Sequence, residues 1–120
     1  MGYRKGTVVV GGRTLQVSVA LGISKMRGMM FRTWADVHGM LFPFPYAGKW
    51  GVEMPFCPNM DVVFLDSEKR VIEVQSARPW GRDPRTWKIY RPAVPCKYVL
   101  ELPSGHGAWF RKGARVVLNL

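Results

Sequence analysis

The residues best suited to contact another molecule are concentrated in residues 78–97, here called the basic loop. The basic loop has six Lys or Arg residues and one acid, Asp83, so it carries +5 of the chain's net charge of +10. Guanidinium groups pair with phosphates in a bidentate geometry, and aromatic faces stack on unpaired bases. The residues that we expect to contact RNA, free or in a ribonucleoprotein such as the ribosome, are Arg78, Trp80, Arg82, Arg85, Trp87, Lys88, Tyr90 and Arg91.

A second interpretation of the basic loop is purely structural. In this interpretation the aromatic rings attach the loop to the core, and the charges keep the surface soluble. Positive charge supports nonspecific binding to nucleic acid without specifying it, so the sequence leaves both interpretations open. Further cations would extend the surface only if the fold places them beside the loop: Arg4, Lys5, Arg111, Lys112 and Arg115. Some cations could instead be neutralised by Glu53, Glu68, Glu73 and Glu101.

Met and aromatic side chains in the middle of the chain predict an alternative function, a small-ligand or carbohydrate-binding β domain. Such residues line small-molecule pockets, but they also fill gaps in small cores, which is the interpretation we favour. Asp61 heads an apolar strand, where a carboxylate is costly to bury unless backbone N–H groups or an arginine satisfy it. The alternative ligand-binding residues are Met40, Phe42, Trp50, Met54 and Asp61, with Phe44 and Tyr46 near them.

Signals for catalysis are weak. His38 and His106 have no Ser, Cys or acid at a diagnostic spacing. Together with Cys57 and Cys96 they lack the compact spacings of zinc sites. We therefore predict no catalytic residue, no metal and no cofactor. An enzyme remains an open hypothesis, in which the fold would bring one histidine to Asp61 for proton transfer.

The length and composition of the chain limit the classes of protein to which it can belong. A chain of 120 residues supports one core, so we expect a single domain over residues 1–120. Its hydrophobic fraction of 48% excludes a mainly disordered protein. The absence of a long apolar run predicts no membrane span and no signal peptide, and hence a cytoplasmic protein. The two cysteines are expected to be buried thiols, with a disulfide bridge only in a hyperthermophile.

The elements that position these residues are predicted to be short strands. Residues 7–10 and 13–20 flank Gly11-Gly12 and predict a β-hairpin. One short helix is predicted near the N-terminus, over about residues 25–34. Further strands are predicted at residues 40–42, 50–54, 60–65, 71–76, 98–102 and 115–120. The fold class is therefore mostly β, a small β-sandwich or barrel with one short helix.

Several segments occur in an order and spacing that carry a family resemblance: Gly28–Arg32, Gly39–Phe44, Met60–Asp66, Tyr98–Leu102 and Gly113. This set resembles the family called domain of unknown function 192, also known as uncharacterised protein family 0127. The resemblance implies a mostly β domain with a short helix, and it brings no established activity, cofactor or catalytic residue. The chain departs from the family pattern at residues 52–59 and in its more elaborate basic loop.

Overall fold

Short runs of β-branched and alternating apolar residues form seven strands in one sheet. The computed structural model describes residues 3–21, 28–35 and 37–120. The strands are β1 (Tyr3–Val10), β2 (Arg13–Ala20), β3 (Met40–Gly48), β4 (Met60–Leu65), β5 (Val71–Ala77), β6 (Cys96–Pro103) and β7 (Val117–Asn119). Two short 3₁₀ turns cover Pro84–Thr86 and His106–Trp109. No helical segment in the described ranges has the length and hydropathy needed to cross a membrane.

The last segment of the chain joins the two edges of the sheet. The strand order is β5-β4-β6-β3-β2-β1-β7, and β7 pairs with β1. Just before β7, the backbone of Arg115 forms a β-bridge with that of Arg70, and the Val116 N–H donates to the carbonyl of Lys69 at 2.8 Å. Because Lys69 and Arg70 immediately precede β5, these bonds curl the sheet towards a barrel. The predicted mostly β sandwich or barrel class is confirmed.

Each face of the curved sheet carries an apolar cluster. The inner cluster receives side chains from all seven strands, including Val63 and Leu65 of β4. The outer cluster contains Val62 and Phe64 of the same strand and is covered by connecting segments. Since neighbouring residues of a strand point to opposite faces, β4 is buried along its whole length. This burial explains why residues 60–65 form a nearly continuous apolar run.

The predicted helix over about residues 25–34 is wrong in the part of that range that the structure describes. Residues 22–27, where it would begin, lie outside the described residues. From Gly28 onward the chain forms turns, because Gly28 and Phe31 have φ angles of 50° and 60°, which a right-handed helix does not allow. The Phe31 N–H donates to the carbonyl of Phe56 at 2.8 Å, so this segment is held by a distant part of the chain.

The locally encoded strands match their predictions closely. The hairpin is confirmed, with φ angles of 52° and 79° at Gly11 and Gly12, and β2 has the predicted bounds. The predicted strand at residues 50–54 is wrong in extent, since only Val52 makes a β-bridge, to Tyr90. This segment crosses the outer cluster and buries Val52 and Met54, so it does not follow a sheet edge.

Candidate functional site

The basic loop leaves the end of β5 and is attached to the domain by backbone hydrogen bonds. The Trp80 N–H donates to the carbonyl of Met54 at 3.1 Å. Tyr90 and Val52 exchange two hydrogen bonds, each of 2.9 Å. The last two residues of the loop already belong to β6. The loop is therefore ordered by contacts within the protein.

The tip of the basic loop is a closed turn held by its own polar groups. Asp83 accepts a hydrogen bond from the Arg85 N–H at 2.9 Å and forms an ion pair with the Arg85 guanidinium at 2.7 Å. This guanidinium holds the pKa of Asp83 below its usual value. The Gly81 N–H donates to Thr86 Oγ1 at 2.7 Å, and Trp87 Nε1 donates to the Gly81 carbonyl at 2.9 Å. These bonds fix the direction in which Trp87 leaves the loop.

The three aromatic residues of the loop have different roles. Trp80 and Trp87 stack with ring centroids 6.2 Å apart, and Trp87 is 53% exposed. Trp80 is half-buried and donates from Nε1 to the Lys88 carbonyl at 2.9 Å. Tyr90 is buried, and its hydroxyl oxygen accepts a hydrogen bond from the Arg78 N–H at 3.1 Å. The prediction that the Tyr90 ring stacks on RNA bases is corrected, because this ring is buried and attaches the loop to the outer cluster.

The predicted cations of the basic loop all lie at the surface. Arg85 is paired with Asp83, whereas no carboxylate of the described residues lies within ion-pair distance of the other four. Lys88 Nζ lies 4.6 Å from the centroid of the Tyr90 ring and remains exposed. The exposed cations are Arg78, Arg82, Arg85, Lys88 and Arg91. The loop therefore presents positive charge that the described carboxylates leave largely uncompensated.

The other cations singled out from the sequence lie on other elements of the fold. The backbone of Arg115 forms a β-bridge with Arg70, which immediately precedes β5, whereas the loop begins after the end of β5. The seven residues of β5 separate these points by roughly 23 Å at about 3.3 Å per residue. Arg4 and Lys5 lie on β1, which pairs with β2 and β7. The length of β5 therefore separates Arg115 from the cations of the loop.

The Met and aromatic residues of the alternative site mostly build the core. Met40 and Met54 are fully buried in the outer cluster. Trp50 is half-buried and stacks on Phe44, with centroids 4.4 Å apart and an interplanar angle of 6°. Phe42 and Phe44 also line a cavity, whereas Met40, Trp50 and Met54 are not in its described lining. The described ranges contain no group of three or more His, Cys, Asp or Glu residues that could hold a metal ion.

Asp61 has the structural role that its position in an apolar strand suggested. Its Oδ2 accepts hydrogen bonds from the N–H groups of Gly105 and Gly107, both at 2.8 Å. Its Oδ1 accepts a hydrogen bond from the Ser76 hydroxyl at 3.2 Å. The carboxylate therefore connects the turn after β6 to the sheet. The prediction of Asp61 as a ligand-binding residue is corrected, because both of its oxygens accept hydrogen bonds from the protein itself.

A cavity of about 240 Å³ lies beside Phe42 and contains a carboxyl group that sequence reasoning assigned only to charge compensation. Glu101 is 5% exposed, and its Oε1 has no hydrogen-bond partner in the described part of the chain. Burial raises the pKa of Glu101 to about 8. The sequence does contain an indication of this buried carboxyl group, since Glu101 interrupts an apolar strand as Asp61 does. It does not show which of the two carboxyl groups finds hydrogen-bond partners.

The half-buried thiol of Cys57 also lines this cavity. Burial, followed by the negative charge of Glu101, raises the pKa of Cys57 to about 12. Cys57 and Cys96 are both free, and burial likewise raises the pKa of Cys96. These thiols are therefore neutral near pH 7 and lack the thiolate character of reactive cysteines.

Comparison with known proteins links the chain to one family. The model of the DUF192 family, described as "Uncharacterized ACR", matches residues 7–117. A UPF0127 protein of Pyrococcus abyssi is 34% identical over 86 residues, which cover 69% of this chain and 66% of that protein. A second, from Pyrococcus furiosus, is 29% identical over 101 residues and 81% of each chain. A third, from Thermococcus gammatolerans, is matched over 51% of its own length, so the chain spans only part of some relatives.

Two solved structures share the fold. A Sinorhizobium meliloti protein described as a candidate transcription regulator has a TM-score of 0.79 and 26% identity, over 98% of this chain and 96% of that one. A Novosphingobium aromaticivorans protein of unknown function has a TM-score of 0.74 and 22% identity, over 96% and 84% of the two chains. The curled sheet is therefore the shared architecture.

Proposed function

We propose that this protein, which belongs to the DUF192 (UPF0127) family, binds single-stranded RNA through its basic loop. The proposal depends on one observation: four cations without an ion-pair partner among the described carboxylates and a half-exposed Trp87 share one ordered loop. The partner is RNA, free or within a ribonucleoprotein such as the ribosome, and the compartment is the cytoplasm. The proposed role is binding, without a chemical step.

The geometry supports a division of labour within the loop. Arg78, Arg82 and Arg91 are exposed and suited to pair with phosphates, and the open face of Trp87 is suited to stack on a base. Stacking needs an unpaired base, which favours a single strand over a duplex. Because the loop is already ordered by internal bonds, binding costs little further conformational entropy. The description of the Sinorhizobium meliloti neighbour as a candidate transcription regulator agrees with a nucleic-acid partner.

Neutralising the loop should weaken RNA binding in a salt-dependent manner. Replacing Arg82, Arg85 and Lys88 by Gln should lower the slope of log K against log salt by about 0.7 for each phosphate that the loop no longer neutralises. The slope is measured by fluorescence anisotropy of a labelled oligouridylate over a range of NaCl concentrations. The matched control replaces Arg111, Lys112 and Arg115 by Gln, which removes the same charge from the segment that bonds to the start of β5, the end of that strand remote from the loop. Equal changes in both variants would show that the loop does not bind the RNA.

The exposed indole should contribute through stacking. Trp87→Ala should reduce RNA affinity about tenfold, since one base–aromatic stack contributes about 1–3 kcal/mol. The salt slope should stay unchanged, because the substitution removes no charge. Tyr46→Ala, which truncates a 62% exposed ring outside the loop, is the control and should bind like the wild type. A Trp87→Ala variant with wild-type affinity would contradict the stacking role.

A further inference from the structure

We propose that the cavity beside Phe42 binds a small protonated amine on an apolar body, with Glu101 accepting a hydrogen bond from the ammonium group. The cavity lies among β3, β6 and the segments before β3 and β4. No residue of the basic loop belongs to its described lining. The loop nevertheless packs against this lining, because Arg91 lies beside Gly51 and Tyr90 pairs with Val52, so the two sites are neighbours.

The first argument is the unsatisfied carboxyl group. Glu101 lines the cavity, is almost completely buried, and leaves Oε1 without a hydrogen-bond partner in the described ranges. Its cross-strand neighbours, Met40 on β3 and Val62 on β4, are apolar and offer no donor from their side chains. An unpartnered buried acceptor is costly and uncommon in native proteins, so it needs an explanation. Oε1 has almost no surface that water can reach, so a donating ligand would contact the carboxyl group at Oε2 and offset the cost of its burial.

The second argument is the kind of titratable group that lines the cavity. In the whole chain, Lys and Arg outnumber Asp and Glu by 18 to 8. The described lining nevertheless contains Glu53 and Glu101 and no Lys, Arg or His. Cys57, the remaining titratable group of that lining, is neutral because burial raises its pKa to about 12. Glu53 is exposed, so the buried group that a ligand meets is Glu101, which an entering cation can draw into its charged form and an anion cannot.

The side chains that line the cavity indicate what the remainder of the ligand, beyond its ammonium group, should be. Phe42, Phe44, Met30 and Val99 give the cavity apolar and aromatic surfaces, and the Phe44 ring is backed by the stacked Trp50. Ammonium groups are attracted to aromatic faces, and apolar walls favour a hydrocarbon body. The volume of about 240 Å³ equals that of roughly eight waters at about 30 Å³ each. An amine of the size of phenethylamine therefore suits the cavity.

Two strained aromatic residues adjoin the lining. Phe31 follows Met30, and Phe56 lies between the lining residues Pro55 and Cys57. Both have left-handed φ angles, 60° and 57°, and they are 70% and 68% exposed. Their rings stack with centroids 4.8 Å apart. Left-handed backbone and an exposed ring are both unfavourable for Phe, and such strain clusters at ligand sites. The pair extends the apolar surface that an incoming amine meets.

Binding should be coupled to proton release. Since burial raises the pKa of Glu101 to about 8, the empty cavity holds a neutral carboxyl group near pH 7. An ammonium group at hydrogen-bond distance favours the carboxylate, so the carboxyl proton leaves to solvent as the amine enters. Glu53 and Cys57 are the other titratable groups in the described lining. The amine itself binds in its charged form, so the released proton comes from the protein.

The first test uses the wild-type protein. Isothermal titration calorimetry near pH 7 compares phenethylamine with phenethyl alcohol, which is neutral, and with 3-phenylpropionate, which is an anion. Repeating the titrations in buffers with different ionisation enthalpies counts the protons released. We expect binding of the amine alone, with close to one proton released per amine. The inference is overturned by an absence of binding at millimolar amine, by equal binding of the alcohol, or by binding without proton release.

The second test uses a nearly isosteric variant. Glu101→Gln should weaken phenethylamine binding at least tenfold and abolish proton release, because the amide cannot ionise. Glu68→Gln, at an exposed position in the turn after β4, is the control and should behave as the wild type. Circular dichroism verifies that the variants are folded. If Glu101→Gln does not fold, the proton count on the wild-type protein decides the question. A folded Glu101→Gln variant with wild-type affinity and proton release overturns the proposal.

Discussion

Wild-type protein should lose stability as the pH rises from about 5 to about 8, and Glu101→Gln should lack this loss. The pKa of Glu101 is about 8 in the folded protein, against 4.5 for the ordinary side chain. Between these values the folded state holds a proton that the unfolded state has released. Unfolding therefore releases a proton, and rising pH favours unfolding by about 1.4 kcal/mol per pH unit. The total loss is about 5 kcal/mol, fully developed above about pH 8.

The measurement is the difference between wild type and variant in urea unfolding at successive pH values from about 5 to about 9. Taking this difference removes the other titrating groups, which both proteins share. Glu68→Gln again serves as an exposed control, and its difference from the wild type should stay constant with pH. Parallel stability curves for the wild type and Glu101→Gln would show that the buried carboxyl group is not held in its neutral form.

Replacing Asp61 by Ala should lower the free energy of unfolding by about 3–4 kcal/mol. The substitution leaves the N–H groups of Gly105 and Gly107 without the carboxylate oxygen that both contact at 2.8 Å. Gly107 is buried and packed so closely that an added Cβ would lie 2.7 Å from a Val74 methyl carbon. Water therefore cannot easily replace the carboxylate at this position. Asp61→Asn should cost less, since its amide oxygen can accept the same two bonds.

The matched control for Asp61 is Asp66→Ala. Asp66 also accepts two backbone N–H bonds through one oxygen, at 2.8 and 3.0 Å, but it does so in a turn at the surface. Its loss should cost about 1 kcal/mol, because solvent can reach the freed N–H groups. Chemical unfolding of the three variants measures the differences. Equal losses for Asp61→Ala and Asp66→Ala would contradict the account based on burial.

The features predicted correctly from the sequence are those encoded over short distances along the chain. The hairpin around Gly11 and Gly12 needs only two glycines with positive φ and alternating neighbours, so β2 has its predicted bounds. The apolar run of β4 is likewise visible before folding, because a strand buried on both faces needs apolar residues at nearly every position. The predicted helix near residue 28 was wrong because Phe31 bonds to Phe56, which lies 25 residues further along the chain.

The surroundings of the polar groups were less predictable. Asp61 finds two of its partners 44 and 46 residues away, whereas Glu101 lies beneath segments brought from two other regions of the chain. Tyr90 and Trp87 are both aromatic residues of the basic loop, yet Tyr90 pairs with Val52 and is buried in the outer cluster, whereas Trp87 stays half-exposed. No local pattern distinguishes the members of either pair.

The amino-acid order alone determined where the strands run, how much positive charge the basic loop carries and which carboxylates interrupt apolar strands. These properties depend on side-chain type and on spacing over a few residues. Tertiary structure decided which ring faces solvent, which carboxylate is satisfied and which one is left beside a cavity. The physical reason is that desolvation and hydrogen bonding depend on neighbours in space, and most of those neighbours come from distant parts of the chain.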